Sequence, residues 1–301
     1  MSDKASLKEI DAIRKLLTSK PRPVGWAERR ARLDEVGSTW PVAGDIKCRA
    51  VDCDGVRGEW SIAPGSDKKK VLLYFHGGGY CSGSIQSHRR LGTEAGRAAK
   101  MRTLATDYRL APEHPFPAQH EDALTVWRFL HKQGIAAQNI AVGGDSAGGN
   151  LALSLIARLF AAGEARPACA WLISPWTDLT MSGATLASRD LVDPLIHKAY
   201  LEELADAYAP EPNDLSDPLI SPLFATMNRF PPMLIQVGSA ETLLSDSTRL
   251  AETAGAADVE VRLEVWPHMI HAWPVWNAAL TDGRLALASA GEFIQVRIGP
   301  R

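Results

Sequence analysis

Short apolar segments rich in strand-forming residues alternate with segments of helical apolar spacing, from about residue 46 to the end of the chain. The predicted strands cover residues 46–51, 57–62, 71–75, 103–107, 140–143, 170–174, 233–238 and 259–265. The predicted helices cover residues 86–99, 120–132, 147–162, 190–208, 245–254 and 284–296. This repetition predicts an α/β fold with a mainly parallel central sheet of about eight strands, covered by helices on both faces. Asp54-Gly55 predicts a hairpin between the first two strands, which are therefore expected to be antiparallel at one edge.

Two regions do not follow this alternation. Residues 1–45 contain two predicted helices, 6–17 and 25–36, and residues 180–215 form a helical insertion before the strand at 233–238. We predict that residues 1–45 and the insertion form a cap, and that residues 46–301 form the main α/β domain. A ligand crevice is expected at the carboxyl ends of the strands, where a cap would shape it. The alternative is that both regions are peripheral packing helices.

Composition excludes several classes of protein and partner. Of the 301 residues, 46% are hydrophobic and 23% charged, which excludes a disordered chain. The formal net charge of −2, without basic clusters, predicts no nucleic-acid partner. No segment is typical of a secretory signal or a membrane span, so no stable membrane insertion and a cytoplasmic location are expected. The four cysteines lack metal-site spacing, and no metal is predicted.

One serine, Ser146, lies between a predicted strand and a predicted helix, in the stretch GGDSAGGN. A nucleophilic serine on such a sharp turn needs very small neighbours two residues away on each side, and Gly144 and Gly148 meet this need. The backbone amide of Ala147, at the start of the helix, could stabilise a developing oxyanion. The G-x-S-x-G pattern alone occurs by chance in many proteins, and the correct flanking segments strengthen it.

A second glycine-rich stretch follows the strand at 71–75, in LLYFHGGGY. Consecutive glycines raise the entropy lost on folding, so we expect them to have a function. The expected function is to leave backbone N–H groups that a substrate can approach closely. A flexible glycine turn is the alternative. The spacing fits neither of the common phosphate-binding patterns, G-x-x-x-x-G-K-[ST] and G-x-G-x-x-G.

Three blocks in this order resemble the hormone-sensitive lipase family: HGGG at 76–79, DYRLAPEHPFPA at 107–118 and GDSAGG at 144–149. The match is to the bacterial family IV esterases of the GDSAG branch, within the α/β-hydrolase superfamily. This resemblance implies an α/β-hydrolase fold and a serine esterase that uses no cofactor. It also implies that Ser146 is the nucleophile and that the amides of Gly78, Gly79 and Ala147 form the oxyanion hole. His76 would brace the glycine loop, and a homodimer is a family expectation.

The base and the acid are expected after Ser146, because α/β-hydrolases take the triad in the order Ser, acid, His. Chain order leaves His197, which lies in the predicted cap helix, and His268 and His271 beyond the last strand. The resemblance favours His271, which a small residue and an aromatic residue follow. The acid is expected just after the strand at 233–238. Glu241 is favoured there, with Asp246 as the rival that more naturally caps a helix or forms an ion pair.

The expected substrates are small uncharged esters with short to medium acyl chains, by family resemblance. Tyr80 and Trp273 are candidate walls of the substrate pocket, although ordinary core positions are the alternative for both. A lactone hydrolase is a further alternative. A non-catalytic small-molecule receptor of the same fold is the most different one, and retention of His271 speaks against it.

Overall fold

Eight strands form one twisted sheet in the computed structural model, which describes residues 4–299. The strands are β1 (Lys47–Cys53), β2 (Val56–Ile62), β3 (Asp67–Phe75), β4 (Met101–Asp107), β5 (Ile140–Asp145), β6 (Cys169–Ile173), β7 (Met233–Gly238) and β8 (Val261–Trp266). Their order in the sheet is β1-β2-β4-β3-β5-β6-β7-β8. The hairpin β1–β2 is antiparallel, β2 pairs antiparallel with β4, and the remaining pairs are parallel. The predicted fold class and edge hairpin are thereby confirmed.

Nine α-helices lie within residues 4–299. They are α1 (Lys4–Thr18), α2 (Trp26–Gly37), α3 (Ile85–Ala98), α4 (Ala118–Lys132), α5 (Ala147–Ala161), α6 (Thr185–Ser188), α7 (Lys198–Tyr208), α8 (Leu244–Ala256) and α9 (Thr281–Arg297). Short 3-10 helices cover Ala137–Asn139, Pro222–Phe224 and Trp273–Trp276. None of the helices within 4–299 combines the length and the apolar character that crossing a bilayer requires.

Apolar side chains cover both faces of the sheet, because successive residues of a strand point to opposite sides. On β3, Leu72 and Tyr74 belong to the core under α3 and α9, whereas Leu73 and Phe75 belong to the core under α4, α5 and α8. All four side chains are almost completely buried. Burial on both faces holds the carboxyl ends of the central strands in fixed positions, and the candidate site is built there.

The insertion differs from the single helix predicted over residues 190–208. Helix α7 begins only at Lys198, and the segment before it is irregular. Pro194 supplies no backbone N–H, and the Asp193 carboxylate accepts hydrogen bonds from the amides of Leu195 (2.9 Å) and Ile196 (3.2 Å). A side chain that bonds nearby amides in this way competes with helix formation, so the prediction for 190–197 is wrong.

The N-terminal helices contact the insertion near the carboxyl ends of the strands. Arg29 of α2 forms an ion pair of 2.9 Å with Glu203 of α7, and Arg22 donates a hydrogen bond to the carbonyl of Leu195. Arg30 of α2 binds the carbonyl of Cys81 at 2.9 Å, just after the glycine loop. The division into a cap (residues 1–45 with the insertion) and a main domain (residues 46–301) stays a prediction. Residues 1–3 and 300–301 of these ranges lie outside the described residues.

Candidate active site

Ser146 occupies a strained turn between β5 and α5. Its φ of 54° and ψ of −121° lie in a region that residues with a Cβ rarely adopt. The turn packs tightly: a Cβ on Gly148 would lie 2.0 Å from the carbonyl oxygen of Phe75. The amide of Ser146 is anchored to the carbonyl of Ile173 in β6 at 2.9 Å. The neighbouring strands therefore hold the strain and fix the position of the serine.

The glycine loop after β3 lies beside this turn. Gly78 and Gly79 have φ values of 116° and 62°, in the left-handed region that favours glycine. A Cβ on Gly79 would lie 2.4 Å from Cδ1 of Leu204, so α7 packs directly on the loop. Within residues 4–299, the amides of Gly78 and Gly79 have no acceptor. Ala147 is the first residue of α5, where an amide has no partner inside the helix.

His76 lies beneath the loop and is buried. Its Nδ1 lies 2.8 Å from the carbonyl oxygen of Gly77, and its ring stacks on Tyr108 with centroids 4.2 Å apart. Tyr108 also donates a hydrogen bond of 2.7 Å to the carbonyl of His76. Burial, together with the nearby His88, lowers the pKa of His76 to about 4, so this ring is neutral near pH 7. These contacts suit a residue that supports the loop.

His271 and Glu241 meet at the carboxyl ends of β7 and β8. The Nδ1 atom of His271 lies 3.3 Å from Oε1 of Glu241, and both residues are buried. The second carboxylate oxygen of Glu241 accepts hydrogen bonds from the Ser174 hydroxyl and the Gly238 amide, each at 2.8 Å. Three donors therefore satisfy this buried carboxylate.

The electrostatic environment favours a positive charge on His271. Burial by itself lowers the pKa of His271, but the hydrogen bond and charge of Glu241 outweigh it, and the pKa lies above its ordinary value. The charges of Asp193 and Asp145 act in the same direction. Burial raises the pKa of Glu241, although the contact with His271 opposes this rise. The pair suits a base whose protonated form needs a nearby anion.

Two neighbours of this pair, Ser174 and Asp193, are not predicted by any sequence pattern. Ser174 follows β6 and, besides donating to Glu241, accepts a hydrogen bond of 3.1 Å from the amide of Ala272. Asp193, from the irregular segment before α7, accepts a hydrogen bond of 3.0 Å from the amide of Thr242. No local motif predicts these contacts with the acid–base region, because Thr242 and Ala272 are more than 45 residues away in the chain from Asp193 and Ser174.

The two rival residues lie elsewhere. His268 is exposed. Asp246, in the first turn of α8, is fully buried and accepts hydrogen bonds from the amides of Thr177 (2.8 Å) and Asp178 (3.0 Å). Its contacts hold the segment after β6 against α8. The structure therefore brings Glu241 to His271 and places Asp246 in a different network.

A cavity of about 460 Å³ opens between the strand ends and the N-terminal helices. Ser146, His271, Gly78 and Gly79 all line it. Apolar side chains line it as well, among them Leu33, Val36, Leu201, Leu204, Val275 and Trp276. A molecule that enters the cavity would meet these groups among the residues of 4–299 that line it.

The candidate pocket walls Tyr80 and Trp273 do not line this cavity and need correction. Tyr80 is fully buried, stacks on Tyr208 with centroids 3.9 Å apart, and donates a hydrogen bond of 2.8 Å to Asn150. Trp273 is also fully buried, packing 5.7 Å from the ring of Trp266. Both rings lie in the core, and among residues 4–299 the tryptophan that lines the cavity is Trp276.

Comparison with known proteins agrees with this architecture. The family model described as the α/β hydrolase fold matches residues 72–275. An acetyl-hydrolase of Streptomyces hygroscopicus is 41% identical over 241 residues, covering 80% of each chain. An esterase of Acinetobacter venetianus is 35% identical over 88% of this chain and 87% of its own.

A solved structure shows the same likeness over nearly the whole chain. The crystal structure of an esterase from the bacterial hormone-sensitive lipase family superimposes with a TM-score of 0.94 at 37% identity. The match covers 99% of this chain and 100% of that one. The resemblance predicted from the three sequence blocks is confirmed. The chain belongs to the α/β-hydrolase-fold family, in its hormone-sensitive lipase branch, and is a carboxylic ester hydrolase.

Proposed function

We propose that the chain is a serine carboxylesterase that hydrolyses short- to medium-chain acyl esters of uncharged alcohols through Ser146, His271 and Glu241. One observation carries this proposal: the strained Ser146 and the imidazole of His271 line the same cavity, and Glu241 holds that imidazole from behind. A nucleophile, a base and an orienting carboxylate are the parts that acyl transfer needs.

The reaction then proceeds in two halves. His271 takes the proton of the Ser146 hydroxyl as the serine oxygen bonds to the ester carbonyl carbon, and Glu241 stabilises the imidazolium. When the tetrahedral intermediate collapses, the carbon–oxygen bond to the alcohol breaks and the alcohol leaves with the proton from His271. Water, deprotonated by His271, attacks the acyl-serine, and the carboxylic acid departs as the serine regains its proton. No cofactor enters this scheme.

Three backbone amides are proposed to stabilise the oxyanion of both tetrahedral intermediates. Those of Gly78 and Gly79 lie in the cavity wall and donate to no group among residues 4–299. That of Ala147 opens helix α5, where the helix dipole adds a partial positive charge. Free donors held by the fold stabilise charge without reorganising during the reaction.

The cavity supports the proposed substrate class. Its apolar lining suits an acyl chain, and the related acetyl-hydrolase carries a name that points to a short acyl group.

Four cationic side chains among residues 4–299 also line the cavity: Lys20, Arg22, Arg29 and Arg32. Glu35 pairs with two of them, at 2.8 and 2.9 Å, Glu203 pairs with Arg29 at 2.9 Å, and Arg22 binds the carbonyl of Leu195. Because each cation already binds a protein group, an uncharged ester is favoured.

Two further expectations stay proposals. Strand β8 ends the sheet and exposes Leu263 and Val265, which supports pairing with a second copy of the chain. Light scattering after gel filtration would measure the mass of the particle, and a mass of one chain would contradict the homodimer. A cytoplasmic location would be tested by fractionating cells that express the chain.

The experiment is a burst assay with p-nitrophenyl esters from acetate to decanoate. We expect the wild type to prefer the shorter chains and to release one p-nitrophenol per site in the burst. Ser146→Ala and His271→Ala should each lower kcat by about a thousandfold or more. Activity retained by folded Ser146→Ala would overturn the mechanism, as would an inert wild type.

A further inference from the structure

Asp145 connects the two loops that carry the proposed chemistry. It is the last residue of β5, precedes Ser146 directly and is almost completely buried. Its Oδ1 accepts hydrogen bonds from the Tyr74 hydroxyl (2.5 Å) and the Gly77 amide (3.0 Å), and its Oδ2 lies 3.2 Å from Nε2 of His88. The carboxylate therefore contacts the glycine loop immediately before Gly78.

The backbone of the glycine loop packs closely against this carboxylate. A Cβ on Gly77 would lie 2.2 Å from Oδ2 of Asp145, so the loop backbone rests directly on the carboxylate. Ser146 belongs to the β5–α5 turn, whereas Gly78 and Gly79 belong to the loop between β3 and α3. The separation between nucleophile and oxyanion donors depends on how these two loops are held together.

The carboxylate of Asp145 is ionised near pH 7. Burial alone raises the pKa of Asp145, but the charge and hydrogen bond of His88 and the hydrogen bond of Tyr74 lower it to about 2. His271 also faces it and acts in the same direction. A charged acceptor binds an amide more strongly than a neutral one does.

We propose that Asp145 is a positioning residue for ester hydrolysis, tying the glycine loop to the turn of Ser146 through the Gly77 amide. The inference rests on the proposed function, because it concerns the distance between that nucleophile and those oxyanion donors. Displacements well below 1 Å cost much of the stabilisation that a preorganised donor supplies. Loss of the tie should therefore weaken transition-state binding and leave ground-state binding largely unchanged.

Asp145→Ala tests the tie, and Asp145→Asn is the conservative variant, because its amide oxygen can still accept from Gly77. We expect Asp145→Ala to lower kcat for p-nitrophenyl acetate by about 100-fold with KM within about threefold, as for a lost oxyanion donor. The kcat of Asp145→Asn should be about tenfold higher than that of Asp145→Ala. Inhibition by an aryl trifluoromethyl ketone, whose serine adduct carries an oxyanion, should weaken in parallel with kcat/KM.

Asp178→Asn is the matched control, since Asp178 is equally buried and its carboxylate binds Arg249 at 2.7 Å in a different network. We expect its kcat to stay near that of the wild type, and thermal unfolding would establish the folding of every variant. If Asp145→Ala does not fold, Asp145→Asn tests the inference by itself. Its kcat should then be about tenfold below that of the wild type, with KM unchanged.

A kcat of the Asp145 variants like that of Asp178→Asn, or unchanged ketone inhibition, would overturn the inference and leave the esterase mechanism standing. An inactive wild type, or an active Ser146→Ala, would instead show that the proposed function is wrong.

Discussion

The Nδ1 atom of His271 lies 3.3 Å from Oε1 of Glu241, and protein atoms bury both side chains. The contact joins the loop after β8 to the turn after β7, two segments separated by 30 positions in the chain. A glutamate reaches the imidazole here because Gly238 and Ser174 hold its other oxygen in place. The longer side chain thus lies where the acid of the proposed triad is expected.

Glu241→Gln should change the pH dependence of catalysis. His271 must be neutral to accept a proton, so kcat/KM of the wild type should fall as the pH drops through a pKa above the ordinary histidine value of about 6.5. Removing the charge of Glu241 takes away much of the opposition to the effect of burial, so the pKa of His271 should fall and the acidic limb should move to lower pH. At about pH 8, kcat should fall by about a thousandfold or more. The profile is measured with p-nitrophenyl acetate, and an unmoved acidic limb would contradict the assignment.

Ser174→Ala should impair catalysis without abolishing it. The hydroxyl donates to Glu241 and accepts from the amide of Ala272, so its loss loosens both sides of the acid–base pair. A hydrogen bond to a charged group contributes about 1.5 to 3 kcal/mol, and we expect kcat to fall about tenfold. Ser154→Ala is the control, because Ser154 is also buried and binds the carbonyl of Leu219 at 2.9 Å. Equal kcat values for the two variants would show that Ser174 does not act through Glu241.

Leu204→Ala should shift the acyl preference toward longer chains. Leu204 lines the cavity and contacts the glycine loop at Gly79, so a smaller side chain enlarges the space beside the oxyanion donors. We expect the ratio of kcat/KM for octanoate over acetate to rise about tenfold, the effect of one or two methylenes in an apolar pocket. Leu153→Ala is the control, since Leu153 is equally buried in α5 but does not line the cavity. A similar shift in both variants would point to general loosening of the fold.

Asp246→Asn should make stability less dependent on pH. Burial and the charge of Asp178 raise the pKa of Asp246 to about 7, despite hydrogen bonds from the amides of Thr177 and Asp178. The unfolded chain releases this proton near pH 4 and the folded wild type near pH 7, so the stability of the wild type should decline as the pH rises from about 4 to about 7 and then level off. Asparagine cannot lose such a proton, so the variant should gain urea resistance relative to the wild type from about pH 5 to about pH 8.

The control for this comparison is Asp206→Asn, which alters an exposed carboxylate on α7. The urea midpoint of Asp206→Asn should differ from that of the wild type by a similar small amount at about pH 5 and at about pH 8. If Asp246→Asn behaves in the same way, the buried carboxyl of Asp246 does not bind a proton near neutral pH.

The elements around the site could be predicted because their signals are local. Periodicity placed β7 at its observed bounds, and the strand-turn-helix pattern around Ser146 anticipated β5 and α5. The break before α7 was missed, because Asp193 ends the helical pattern through amide contacts that no spacing rule anticipates. Tyr80 was misplaced for a related reason: its ring stacks on Tyr208, which is 128 positions further along the chain.

The sequence by itself determined the order of strands and helices, the small residues around Ser146 and the glycines before Tyr80, since these depend on backbone conformation and nearest neighbours. The sequence favoured Glu241 over Asp246, but only the tertiary structure brings its carboxylate to His271. Tertiary structure alone decided which aromatic ring lines the cavity and which residues join the two loops. Asp145, Ser174 and Glu241 gain their partners from strands that are adjacent in the sheet but distant in the chain. Such contacts form only when burial of the two sheet faces brings the strand ends together.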